Sequence, residues 1–190
     1  MPLFFDTETS GFYNTKEPPS SPSQPYLVQF AAILDDEEGN LKAAVNFRVY
    51  AGQEEEVPEG AKNVHGINLA ELKAYGVPLA VACATFSNLR KMTPRVIAHN
   101  IEFDMNVMAA QFSRLDKDFN IIDGVFCTMK AASFVLKLPG KFGKYKWPKL
   151  QEAYSSLVDD DGFKGAHDAF ADVKACRAVY YKLKELDHAN

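Results

Sequence analysis

The sequence predicts an α/β domain in three layers, with a mixed sheet between two layers of helices. Three observations carry that prediction. The first fifty residues hold three apolar and aromatic runs in series, the pattern of an antiparallel meander. After residue 60, helical periodicities alternate with two further short apolar runs, as they do when strands are joined through packed helices. The length of 190 residues, 47% apolar and 24% charged, suits one core and one domain spanning 1–190. The expected sheet has five strands, three in the meander and two beyond it.

PLFFDTET opens the chain and reads as a buried strand. Residues 10 to 25 carry four serines among Pro18, Pro19, Pro22 and Pro25, a connection long enough to suggest a lid or flap over a site. YLVQFAAILDD reads as the second strand, EEGN as a turn and LKAAVNFRVY as the third strand. Helical signals follow, interrupted by Gly66, Gly76 and Pro78. LAVACATFSNLRKM then places apolar residues at 79, 82, 86 and 89 on one helix face. Pro94 ends that helix, and RVIAH is a short buried strand. Ile101, Met105, Met108 and Phe112 predict a helix beginning near Asn100, and IIDGVFCT a fifth strand. MKAASFVLKL and KLQEAYSSL read as helices. The last helix, DAFADVKACRAVYYKLKEL, presents Phe170, Val173, Cys176, Tyr180 and Leu183 on one face.

Composition excludes several classes. No apolar stretch approaches the roughly 18 residues of a membrane span, and the N-terminus lacks the basic segment of a signal peptide. Cys83, Cys127 and Cys176 are widely separated and form neither a disulfide framework nor a zinc knuckle, so a reducing cytoplasm is expected. The net charge of −4 conceals an asymmetry. Between Gly124 and Gln151 there is no Asp or Glu, but there are six lysines (130, 137, 141, 144, 146 and 149). Setting these six aside from the 21 basic residues leaves 15 against 25 carboxylates, a balance of −10. One basic strip on an acidic body suggests a polyanionic partner.

The carboxylates carry the chemistry. Asp6 and Glu8 are two apart on a strand and leave it on one face, roughly 7 Å from each other. On a buried face they repel and are desolvated. A divalent cation relieves both costs, and an oxygen donor set favours Mg²⁺ or Mn²⁺ over zinc; the alternative is an acidic strand end facing solvent. Asp104, in AHNIEFD, falls in a first helical turn, where negative charge is favoured in any case. Glu102 points about 200° away around that helix and reads as solvated. In GAHDAFAD, His167 and Asp172 would not share a helix face, being about 140° apart. They converge if His167 lies on the loop before the helix and Asp172 in its early turns, with Asp168 as the N-cap.

In their order, DTETSGF at 6–12, VHGI at 64–67, AHNIEFD at 98–104 and AHDAFAD at 166–172 resemble the motifs of the DEDDh exonucleases. These are the DnaQ-like branch of the ribonuclease H-like superfamily. The resemblance covers residues 3 to about 185. His167 rather than tyrosine in the third motif places the chain in the histidine branch. It implies a ribonuclease H-like fold and a 3′→5′ exonuclease releasing nucleoside 5′-monophosphates from single-stranded or frayed DNA ends. Asp6, Glu8, Asp104 and Asp172 would hold two Mg²⁺ or Mn²⁺ ions, which activate a water and neutralise the leaving oxygen. His167 would be the general base.

The resemblance also sets Thr7 and Thr9 beside the terminal nucleotide, Phe12 and Ile67 against its base, and His65, Asn100 and Phe103 nearby. For Phe12 and Ile67 the alternative is a core position, and for Asn100 a helix cap. KFGKYKWPK (141–149) interleaves Phe142, Tyr145 and Trp147 with lysines, a composition suited to a single strand; the alternative is a solvated loop with Trp147 tucked inward. Single-stranded DNA or nucleic-acid 3′ ends are the expected partners, with a replication or repair polymerase retained as a further one. The chain ends soon after its last helix, so a C-terminal tether is not expected. Two readings compete: a 3′→5′ exoribonuclease and a catalytically silent nucleic-acid-binding module.

Overall fold

The computed structural model describes residues 1–120 and 124–186. Six strands form one mixed sheet: β1 (Pro2–Thr9), β2 (Leu27–Asp35), β3 (Leu41–Tyr50), β4 (Val77–Pro78), β5 (Arg95–Ala98) and β6 (Val125–Cys127). Their order is β4-β3-β2-β1-β5-β6. β1, β2 and β3 make the antiparallel meander, while β5 runs parallel to both β1 and β6. The helices are α1 (Glu59–His65), α2 (Leu69–Tyr75), α3 (Leu79–Lys91), α4 (Ile101–Ser113), α5 (Thr128–Leu136), α6 (Leu150–Leu157) and α7 (Ala169–Glu185).

Strand parity distributes the chain between two cores. Leu3 and Phe5 of β1 face one way, with Phe30, Ala32 and Leu34 of β2, and are covered by α3 and α4 through Phe86, Met108 and Phe112. Phe4, Ala31 and Ile33 face the other way, under Val173, Cys176, Val179 and Tyr180 of α7. Extending that alternation along β1 directs Thr7 toward α4, and Asp6 and Glu8 toward α7. All nine residues of β2 are buried, because β2 is central and covered on both faces.

One expectation is corrected. The sheet has six strands rather than five: Val77 and Pro78 pair with Val49 and Tyr50, where the sequence showed only interruptions between helices. Gly76 permits this approach, since a Cβ there would lie 2.5 Å from the Leu72 carbonyl and 2.8 Å from the Tyr50 nitrogen. The proline-rich connection is folded on itself by hydrogen bonds. Buried Gln24 donates through Nε2 to the carbonyls of Asn14, Glu17 and Pro18 and accepts from the Asn14 N–H. Arg114 anchors its end, reaching the carbonyls of Gln24 and Pro25 and lying 4.4 Å from the Tyr26 ring centre. Of the predicted fifth strand, Val125–Cys127 is extended; residues 121–123 lie outside the described ones.

Candidate active site

The C-terminal half of β1 brings the acidic motifs together. Asp104 sits in the first turn of α4 and is 3% exposed. Its Oδ1 accepts from the Thr7 N–H (3.0 Å) and from the Thr7 hydroxyl (2.7 Å), which pins α4 to β1. From the opposite helical layer, Asp172 enters in the first turn of α7. Glu8, His167 and Asp172 each place one donor atom within 4.8 Å of the other two. His167 precedes the helix with a left-handed φ of 69°, and its backbone N–H donates to Asp172 Oδ2 at 3.1 Å. This is the loop-plus-first-turn arrangement that the five-residue spacing requires.

The start of α7 is fixed from below. Asp168 caps the helix, its Oδ1 accepting from the N–H groups of Phe170 and Ala171. Gln29, wholly buried in β2, donates to Asp168 Oδ2 (3.0 Å) and accepts from the Ala169 N–H (3.3 Å). Arg48 lies 3.8 Å from the same carboxylate and bonds Glu71 at 2.7 Å. Sequence reasoning identified the cap but not Gln29. A single amide in the otherwise apolar run LVQFAAIL was the available signal, since a buried polar group needs partners.

The electrostatics are those of a frustrated acidic cluster. Burial raises Asp6 well above the usual carboxylate range, reinforced by Asp104, Asp172 and Glu8. Burial together with Asp172 and Asp104 pushes Glu8 up to about 8. Asp104 reaches about 7 through burial, opposed by the Thr7 hydrogen bonds. Asp172 reaches about 6, again through burial, opposed by the His167 N–H. Asp172 Oδ1 is buried with no hydrogen-bond donor among the described residues. An orphaned carboxylate oxygen amid acids that resist ionising fits a hard divalent cation, which supplies the missing positive charge.

Beside this cluster lies a cleft of about 480 Å³ whose lining includes Glu8 and His167 at one end and Phe12, Pro58, Val64 and Phe103 elsewhere. Phe12 is 94% exposed, so the core alternative for it is set aside. Ile67 is fully buried with Val28, Val57 and Leu72; in this conformation it offers no surface to a base. The Thr9 hydroxyl donates to the Gly11 carbonyl at 2.6 Å, shaping the turn that presents Phe12. His65 Nδ1 accepts from the Ile67 N–H, so its Nε2 carries the proton and donates to the Thr9 carbonyl. Burial lowers the His65 pKa, consistent with that neutral ring. Asn100 is exposed at the head of α4 with φ 68° and makes no side-chain cap, contrary to the capping alternative. Val64, absent from the expected set, joins the cleft wall.

Acidic side chains at the end of β1, met by one acid from each helical layer on a ribonuclease H-like sheet, give the site the character of a nuclease. The chain belongs to the exonuclease family of the DEDDh, DnaQ-like branch: the profile of the RNase_T exonuclease family matches residues 3–180. Among curated proteins no sequence match is found. Solved structures similar to the chain include Escherichia coli exonuclease I with a dT13 oligonucleotide (24% identity, TM-score 0.74) and with a 5cy-dA13 oligonucleotide (25%, 0.72). A zinc-bound form of the E. coli enzyme with single-stranded DNA is likewise similar (24%, 0.74). Each match covers 97% of this chain and 40% of the other, so the chain spans about two fifths of those proteins. No helix of the described residues is long and apolar enough to cross a membrane.

Proposed function

We propose that this chain is a metal-dependent 3′→5′ exonuclease that removes nucleoside 5′-monophosphates from the 3′ end of single-stranded DNA. The observation that carries the reading is the junction of the acidic cluster with the apolar cleft, sharing Glu8 and His167. Asp6, Glu8, Asp104 and Asp172 would hold two ions, with Mg²⁺ or Mn²⁺ favoured by an all-oxygen donor set. Such ions supply a more acidic bound water and charge neutralisation at the leaving oxygen.

The chain's own residues do the rest. The exposed ring of Phe12, with Val64 and Phe103, takes the terminal base by its faces, which suits stacking without sequence preference. The Thr7 and Thr9 hydroxyls, already engaged within the protein, hold Asp104 and the Phe12 turn rather than the nucleotide. His167 lies on an exposed loop within reach of Glu8 and Asp172 and would accept the proton of the attacking water. The preference for DNA is supported by the oligonucleotides in the similar exonuclease I structures. Three unpaired cysteines suit a reducing cytoplasm.

The test is a time course on 5′-labelled strands of roughly 20 nucleotides, one DNA and one RNA, with Mg²⁺, Mn²⁺ or EDTA and an Asp6→Ala control. A ladder shortening from the 3′ end, abolished by EDTA and by the substitution, is expected on DNA. Intact strands in every lane would defeat the reading, and a ladder on RNA alone would reassign the substrate.

A further inference from the structure

The segment Lys141–Lys149 lies outside the acidic cluster and its cleft, and is built for display. Phe142 is 97% exposed, Tyr145 51% and Trp147 62%, which sets aside the alternative of a tryptophan tucked inward. Among the described residues none of the three rings has an aromatic partner, and each is more than half exposed. Folding alone gives no reason to hold three large rings in water within six residues, and such patches mark interaction sites. The surrounding charge is mostly positive: Lys141, Lys144 and Lys149 have no ion-pair partner among the described residues, while Lys146 pairs with Glu152.

The loop is nevertheless ordered by its backbone. Pro139 and Tyr145 form an isolated bridge, the Gly140 N–H donates to the Lys144 carbonyl (2.9 Å), and the Lys146 N–H to the Leu138 carbonyl (3.0 Å). Gly140 allows this fold-back, since a Cβ there would lie 2.5 Å from the Lys144 oxygen. A tie also runs to the active-site end of the sheet. His99 Nε2 bonds the Pro148 carbonyl and its Nδ1 the Thr128 hydroxyl, both at 2.9 Å. His99 follows β5, which is parallel to β1, and precedes the helix that carries Asp104. The loop backbone that carries the rings is therefore ordered before binding, which lowers the ordering cost, and it lies at the same end of the sheet as the carboxylates.

We propose that Lys141–Lys149 is a second nucleic-acid contact surface, a platform that stacks the bases and pairs the phosphates of the single strand lying 5′ of the nucleotide in the cleft. Its occupant follows from the chemistry: unpaired lysines take phosphates, and exposed rings take bases of any sequence. The inference rests on the exonuclease reading for the direction of the strand, but its test does not rest on turnover.

Trp147 is the only tryptophan, so protein fluorescence excited at the indole has one source. Oligothymidylates of about 2, 6 and 12 nucleotides, spanning the lengths that single-strand platforms engage, are titrated into the wild-type protein in EDTA. The expected result is saturable quenching with the longest strand and little with the shortest. By anisotropy of a labelled strand of about 12 nucleotides, Trp147→Ala weakens binding at least roughly fivefold. Lys141→Glu with Lys144→Glu flattens the salt dependence of log Kd by about 1.4. These side chains are exposed, so the variants should melt with the wild type; if one did not, the wild-type titration would still decide.

Binding by anisotropy without quenching, or with an unaltered salt slope in the charge-reversed protein, would overturn the platform. So would a failure of any oligonucleotide to bind, which would leave the patch to an acidic protein partner. Quenching without digestion in a parallel Mn²⁺ assay would sustain the platform and sink the exonuclease reading. Digestion without quenching would do the reverse.

Discussion

The two helical layers present their acids to β1 in opposite ways. On the α4 side, Asp104 is 3% exposed and one of its oxygens takes both the N–H and the hydroxyl of Thr7. On the α7 side, Asp172 keeps one oxygen on the His167 N–H and leaves the other without a donor, and the His167 side chain stands exposed on a left-handed residue. One side is tied down by folding. The other is completed only by what binds. This division suits a site that needs a fixed anchor for charge and an adjustable group near the reacting water, because a fully satisfied base would have no free atom to act with.

The sharpest way to test that division is to remove charge from the anchored side without disturbing its shape. Asp104→Asn keeps an oxygen for Thr7 and deletes one negative charge. Activity should fall by roughly a thousandfold or more, the several kcal/mol that a two-metal clamp contributes. The metal-free variant should melt at or above the wild type, since like-charge repulsion is relieved. Steady-state rates and thermal melts in EDTA read both. A variant that lost activity and also melted far lower would show that the charge of Asp104 supports the fold.

On the adjustable side the expected pairing differs. His167→Ala should lower kcat by roughly 10² to 10⁴, the range for a positioned base. Its melt should stay with the wild type, because the ring is exposed and contributes only its backbone to the bonding of Asp172. If kcat were unchanged while KM rose, His167 would be a binding group and the base would lie elsewhere.

Metal and pH probe both sides together. Glu8, Asp104 and Asp172 are raised from ordinary carboxylate values to about 8, 7 and 6, so the folded protein prefers them protonated. Their contribution is therefore most favourable below about pH 4 and is lost as pH rises through about 6 to 8. The metal-free protein should lose melting temperature across that window from this cluster. Added Mn²⁺ or Mg²⁺ binds the ionised form, so the stabilisation it gives should grow with pH over the same interval. Melts at about pH 5 and pH 8, with EDTA or metal, read the difference. A metal effect independent of pH would place the ion away from these carboxylates.

The sequence pointed to the residues that the structure gathers at the end of β1, but not to all of the architecture around them. Asp6 and Glu8 were conspicuous because carboxylates on an apolar strand are costly. Asp104, His167 and Asp172 were weak signals singly and became legible only through the resemblance to the DEDDh motifs, and the Asp168 cap was legible because capping is local. β4 was not, since a two-residue strand has no periodicity and is made by its pairing with β3. The compact loop at 10–25 escaped for a related reason. Its proline and serine content describes what the backbone avoids, while its order comes from one amide, Gln24, folded back on three loop residues through four hydrogen bonds. The Phe12 and Ile67 positions were both open from sequence. Only the packing of Val57 and Leu72 over Ile67 buries one and leaves the other in water.

A final pair of substitutions weighs the supports of the two sides against each other. Gln29→Leu removes the donor to Asp168 and the acceptor for the Ala169 N–H, leaving buried polar groups unmet. The cost should be about 1–3 kcal/mol of stability, with the kcat loss following the displaced start of α7, since His167 and Asp172 both depend on it. Thr7→Val removes only one of two bonds to Asp104 Oδ1, and the backbone N–H remains. A loss nearer 1 kcal/mol and a smaller drop in kcat are expected there. Denaturant midpoints and kcat for both variants give the comparison directly. If Thr7→Val proved the more damaging to kcat, the hydroxyl rather than the backbone would be the element that sets Asp104, and the anchored side would owe its rigidity to a single side chain.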